Sequence, residues 1–242
     1  MNRQSNLYTI IYSAVLVLLV GVVLSVVYQA LRPRQEENIT NDTKRQILAA
    51  ALITPQNGES VADLYAGHIK DSYIVNSEGT KIDSDIDPFD VNVSLEIKKD
   101  KDQRLLPVFE CTTDNDGLKY IVPVYGAGLW GPIWGYIAFD SNGNSIYGAY
   151  FAHQGETPGL GAEIETESFR SQFQGKDIFD SEGEFLSVKV VKTGQEPATG
   201  AFVHAISGGT ITSQGVQKML ENSLEPYSSF FKSFTNRKEA AK

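Results

Sequence analysis

The chain has 242 residues and a formal net charge of −9, a length that suits one anchored domain or a domain with a small appendage. The acidic balance excludes the clustered Lys and Arg of a nucleic-acid footprint, since the lysine-bearing runs 98–104 and 232–242 are mixed in sign or sparse. A single cysteine, Cys111, excludes an internal disulfide framework and any multi-cysteine metal site, and reads as a small buried apolar side chain.

No charged side chain occurs from Gln4 to Leu31, and residues 8–31 are dominated by Ile, Val and Leu. That exceeds the roughly 20 residues needed to span a hydrocarbon core. A cleaved signal peptide would have a shorter apolar core and a small-residue cleavage site, for which Tyr28-Gln29-Ala30 is a poor match. The expectation is therefore a retained transmembrane helix, with Tyr8, Tyr12 and Tyr28 in the interfacial belts. Arg32, Arg34, Lys44 and Arg45 follow it, and the positive-inside rule alone would leave the large domain in the cytoplasm.

Asn41 and Asp42 are candidate N-caps for a separate helix to about Leu52, before Pro55. A short helix is expected over 60–69, where Val61, Leu64, Tyr65 and Ile69 fall near helical spacing. Residues 70–105 are polar, with a solvated loop at 83–90; Asp83, Asp85, Asp87 and Asp90 lack the order of a calcium loop. Alternation over 91–97 predicts a short strand. Strands are expected at 105–111 and 119–125, joined by Asp114-Asn115-Asp116-Gly117, and at 134–139 and 145–151, joined by a turn with Asn142-Gly143. Residues 186–191 alternate as a further strand. A closing helix is expected over 213–234, interrupted by Pro226. The elements sum to an α+β domain, an antiparallel sheet with packed helices, preceded by one N-terminal transmembrane helix. The expected division is an anchor at 1–34, a helical and loop part at 35–105, and a cofactor-binding domain at 106–242.

Three blocks carry chemistry. Ser207-Gly208-Gly209-Thr210 precedes the closing helix, where unpaired N–H groups and the helix dipole favour a phosphate. Thr210 stands where such a phosphate would sit, and Thr212 and Ser213 are rival hydroxyls, one of which helix-entry logic makes the cap. His153-Gln154-Gly155-Glu156-Thr157-Pro158-Gly159-Leu160-Gly161 is a turn whose glycines allow close backbone approach to a flat ring. The third block is Val124-Tyr125-Gly126-Ala127-Gly128-Leu129-Trp130-Gly131. Trp130 and Trp134 read first as core packing, with ring stacking as the alternative. His153 has no metal-ligand spacing and reads as structural or as supporting a neighbour; His68 and His204 have no partner pattern. Lys192, after the 186–191 strand, would either offset the charge of a phosphate or lie on the surface. No glycine-rich dinucleotide fingerprint follows a strand, so no NADH site is expected.

The three blocks, in this order, resemble the FMN-binding domain of bacterial ion-translocating redox complexes. The usual attachment pattern there is Ser/Thr-Gly-Ala-Thr, and Gly209 replaces its alanine. Length before residue 120 and the Leu-Trp-Gly block favour the C subunits of Na+-translocating NADH:quinone reductases over the related G subunits of Rnf complexes. The resemblance implies FMN joined covalently through its phosphate to Thr210, with Ser207, Gly208, Gly209 and Thr212 around it. It places Glu156, Thr157 and Leu160 beside the isoalloxazine, and leaves Lys192 as a candidate cation. It implies a flavin transferase that uses FAD, other subunits of the reductase as partners, and a domain on the outer face of the cytoplasmic membrane. The rival from another class is a cofactor-free, membrane-tethered binding module.

Overall fold

The structure, a computed structural model, describes residues 6–114 and 117–240, with the side chains of 235–240 left aside. The chain falls into two compact units, Met1–Thr43 and Lys44–Lys242. Helix α1 runs Asn6–Ala50 without a break and contains the only stretch among the described residues long and apolar enough to cross a membrane. The separate helix expected from Asn41 and Asp42 is thus the end of α1, and neither residue is a cap. Pro33 lies inside the helix and removes one backbone bond, but the residues after it are good helix formers, and Arg32 Nε pairs with Glu36 at 2.8 Å. The helix ends at Ala50; just past it Leu52 takes the left-handed conformation at φ 60, and Ile53 N donates back to Leu48 O at 3.0 Å. Helix α2, Val61–His68, begins at Ser60 as expected, the Ser60 hydroxyl accepting from Asp63 N.

Six strands form one antiparallel sheet in the order β2-β1-β3-β4-β5-β6. They are β1 Ile69–Val75, β2 Lys81–Ile82, β3 Leu106–Thr113, β4 Gly117–Ala127, β5 Pro132–Asp140 and β6 Ile146–His153. The four strands after residue 105 stand where the apolar patterns put them, and the β5–β6 turn has Gly143 at φ 69. Asn115 and Asp116 of the expected β3–β4 turn lie outside the described residues; Thr113 pairs with Gly117 across it. One element was not foreseen and one expectation fails. β1 lies in a stretch read only as polar, and pairs with β3 from Asp71↔Glu110 to Val75↔Leu106. Its polar members face solvent, whereas Ile74 and Val75 are buried. The strand expected over 91–97 is instead a one-turn helix, α3 Val93–Glu96, because Asn92 caps it by accepting from Leu95 N.

Both sheet faces are covered, which is why β4 is buried from Lys119 to Val124. A one-turn helix after β6, α4 Glu167–Arg170, sends Phe169 into the core against Phe151. On that face Val122, Val124, Ile137 and Phe139 pack against α5 Thr210–Leu224 and α6 Ser228–Ala240. On the other, Phe109, Cys111, Ile121 and Ala138 pack against Ile47, Ala50 and Ala51 from the end of α1. Pro226 does interrupt the closing helix, in a short 3-10 turn between α5 and α6. The 186–191 strand shrinks to β7, Lys189–Val191, which pairs in parallel with β8, Phe202–His204. Ser187 at φ 55 breaks the extended run before it.

Helix α5 and β4 touch backbone to backbone at their glycines. A Cβ on Gly126 would sit 2.7 Å from Met219 Cβ, and one on Gly215 would strike Ala127 O. Gly126→Ala is expected to lower the unfolding free energy by about 1–3 kcal/mol through overpacking, read from the urea midpoint at constant m value. Cys111 is fully buried, and burial pushes its thiol up to about 11. It should stay unreactive toward a thiol reagent at neutral pH until the domain is unfolded; fast labelling of the native protein would contradict that.

Candidate functional site

A cleft of about 370 Å³ lies where α5 begins, between the β4–β5 turn and the turn after β6. Its walls are Leu129 and Trp130 on one side, Thr157, Leu160 and Gly161 on another, and Gly208 to Thr212 on the third, with Glu156 at the base. The three sequence blocks therefore meet in one place. Of the expected site residues, Glu156, Thr157, Leu160, Gly208, Gly209, Thr210 and Thr212 line the cleft. Ser207 is exposed at the start of the loop, and Lys192 is exposed beyond β7; neither lines it.

The start of α5 differs from the expected capping. The N-cap is Gly209, which has no side chain to cap with. Thr212 and Ser213 are inside the helix, and neither caps it. Ser213 N makes the first intrahelical bond, to Gly209 O at 2.9 Å, so the N–H groups of Thr210, Ile211 and Thr212 come before that ladder and are free to face an anion. Gly208 takes φ 75, a left-handed turn that glycine adopts without strain. It swings the chain from the loop into the helix, and Leu160 Cδ2 closes against it.

The three hydroxyls of the first turn have separate fates. Ser213 Oγ is fully buried and accepts from Ile206 N at 3.0 Å. Thr212 Oγ1 is buried and donates to Glu156 Oε2. Thr210, the first residue of α5, is exposed in the cleft wall. A phosphate at the helix N-terminus would meet this hydroxyl first.

Glu156 is only 4% exposed, yet it is anchored on every side. Oε1 accepts from Trp130 N at 2.8 Å, and Glu156 N donates to His153 Nδ1 at 3.1 Å. His153 thus supports a neighbour, as its lack of ligand spacing suggested. Burial by itself raises the carboxyl; the hydrogen bonds from Thr212 and from the backbone of Trp130 and Leu129, with His153 nearby, outweigh it and hold the group below its ordinary value.

Trp130 corrects the core-packing expectation: it is 70% exposed and forms a cleft wall. Trp134 is half-buried, its Nε1 donating to Gln46 Oε1 at 3.1 Å. Leu129 and Ile211, both exposed and both lining the cleft, were not singled out from sequence. Their signal was a large apolar side chain amid glycines or between threonines, where a solvated turn has no use for one.

The cleft's residues coincide with a known domain. The model of the FMN-binding domain matches residues 128–225. The C subunit of the Na+-translocating NADH-quinone reductase of Vibrio anguillarum is 32% identical over 89% of this chain and 89% of its own length. The chain belongs to this family of reductase C subunits. A crystal structure of the Parabacteroides distasonis member of the family superposes with a TM-score of 0.76 at 45% identity, covering 83% of this chain and 96% of that one. The NqrC structure from Shewanella oneidensis gives 0.68 at 30% identity, over 81% and 98%. The α+β architecture is shared with these solved members of the family, and this chain carries in addition a long apolar N-terminal helix.

Because its folded pKa is depressed, Glu156 binds a proton more tightly in the unfolded chain. Its contribution to stability is complete above the ordinary carboxyl value of about 4.3 and is lost as pH falls through the folded value. Denaturation across a pH series should show a steep acid-side loss, and Glu156→Gln should flatten it. An unchanged acid limb in the variant would contradict this.

Proposed function

We propose that this chain is a membrane-anchored electron-carrier subunit of a Na+-translocating NADH:quinone reductase, with FMN joined by a phosphoester to Thr210. The observation that carries the attachment site is the contrast among three hydroxyls: Thr212 and Ser213 are buried and engaged, whereas Thr210 is exposed in the cleft at the head of α5. The residues present fit the group. The first-turn N–H groups of α5 and the Gly208-Gly209 turn suit a phosphate, and Leu129, Trp130, Leu160 and Ile211 give apolar walls for a flat ring. Thr157 is the polar contact at its edge. Ser207 and Lys192 stand outside the cradle.

In the attachment step Thr210 Oγ forms the new bond to the phosphorus of the FMN half of FAD. The bond to the second phosphate breaks, AMP leaves, and the hydroxyl proton goes to the surroundings. By the family resemblance a separate flavin transferase supplies that chemistry; the one carboxylate of the cleft, Glu156, is already engaged by Trp130 N and Thr212 Oγ1. FMN, once held there, supplies reversible one- and two-electron transfer. The protein's part is to hold the group, exclude water from one side of it and present the other to the neighbouring subunits.

Residues 1–34 are proposed as the anchor, 35–105 as the helical part that also contributes β1 and β2, and 106–242 as the FMN-binding domain. We place the soluble domain outside the cytoplasm, where a cofactor lost by dissociation would not be replaced by mass action. Co-expression with a flavin transferase should add the mass of one FMN less one water, and peptide mapping should find it on Thr210. Thr210→Ala should abolish the covalent flavin, while Thr212→Ala should keep it. Covalent flavin retained in the Thr210 variant would overturn the site; an unmodified wild-type chain, with the transferase active on a control, would favour a cofactor-free binding module.

A further inference from the structure

One carboxylate joins the two walls of the cleft. Glu156 Oε1 accepts from Trp130 N at 2.8 Å on the β4–β5 turn, and Oε2 accepts from Thr212 Oγ1 on α5. The space it fills is kept by two glycines from two different blocks. A Cβ on Gly128 would lie 2.5 Å from Oε1, and one on Gly161 would strike Oε2 and Thr212 Oγ1. A carboxylate has two acceptor oxygens, so it can take a donor from each wall at once. Glutamine has one oxygen, and its amide would turn a donor toward one of two donors. Bonds to an ionised acceptor are also the stronger kind.

We propose that Glu156 is a positioning residue: it clamps the Leu129-Trp130 turn to the first turn of α5, fixing the cleft width, and sets a permanent negative charge at the base. The charge has a second effect that rests on the FMN reading. A fixed negative charge at the base opposes addition of electrons to a ring held above it, so the reduction potential is lower than it would be with a neutral side chain.

The clamp is tested on the full-length protein in detergent, without flavin, by amide hydrogen exchange at Trp130. Thr212→Val removes the donor on α5 and leaves Trp130 itself untouched. Exchange at Trp130 should quicken about tenfold, the worth of a hydrogen bond to a charged acceptor. Thr212→Ser, which keeps the hydroxyl, should restore the slow rate. Glu156→Gln should quicken it too, and the double variant with Thr212→Val should be no faster than the quicker single one. Should Glu156→Gln fail to fold, the Val and Ser pair alone decides. Equal Trp130 exchange in those two variants overturns the clamp. In flavin-loaded protein, Glu156→Gln should move the midpoint potential to a more positive value and Thr212→Val should move it less. A Gln variant with the wild-type potential overturns the charge effect. Failure of the wild-type chain to load flavin counts against the FMN reading and leaves the exchange result standing.

Discussion

The close approach of α5 to the end of β4 is the constraint on which the site depends. Gly126 and Gly215 have no side chains, so helix and strand meet at Met219 and at Ala127 O. This is nearer than any pair of side chains would allow. With α5 seated there, its first turn comes level with the β4–β5 turn, and the helix N-terminus points into the space between them. The large side chains along the rest of α5, Met219, Leu220 and Leu224, are buried against the sheet and fix its direction. An anion site at a helix start works only if the helix cannot rock, and this packing removes that freedom.

From that contact the cleft follows by chain geometry. β4 ends at Ala127 and β5 begins at Pro132, so Leu129 and Trp130 project from a short turn directly beside α5. β6 pairs with β5 as far as Ile133↔His153, which delivers Glu156 beneath the same turn three residues later. Glu156 could not remain ionised at that depth without compensation. The donors that compensate it come from the other two blocks, so its burial cost becomes a condition on their placement. The charge that tunes the site and the bonds that shape it are one group.

Much of this was legible in the sequence, for identifiable reasons. The strands from β3 to β6 follow apolar runs bounded by turn residues, and Pro226 breaks the closing helix where proline must. The cleft residues were legible through the three blocks, because glycine and hydroxyl patterns are local. What the patterns missed had both distant and local causes. β1 has a polar sequence and becomes a strand because β3 offers an open edge. The 91–97 alternation was overridden by one capping side chain, Asn92. Trp130 was misread as core because large aromatic residues are usually buried, and its exposure has meaning only when the cleft is seen. Lys192 looked suitable by charge, but it is exposed beyond β7 and is not one of the lining residues.

The shallow cleft and the proposed ester explain each other. A pocket that holds a free cofactor tightly buries most of its surface, yet this cleft has Thr210 and Trp130 in solvent at its mouth. A carrier that must exchange electrons with neighbouring subunits gains from that openness, because a deeply enclosed ring is a distant one. Openness also weakens reversible binding, and the net charge of −9 adds a general repulsion of anionic phosphate. The helix dipole of α5 offsets only part of it. The proposed covalent bond at Thr210 would keep the ring at high effective concentration whatever its intrinsic affinity. The walls are then left the smaller task of orientation, for which four apolar side chains and one fixed carboxylate are enough.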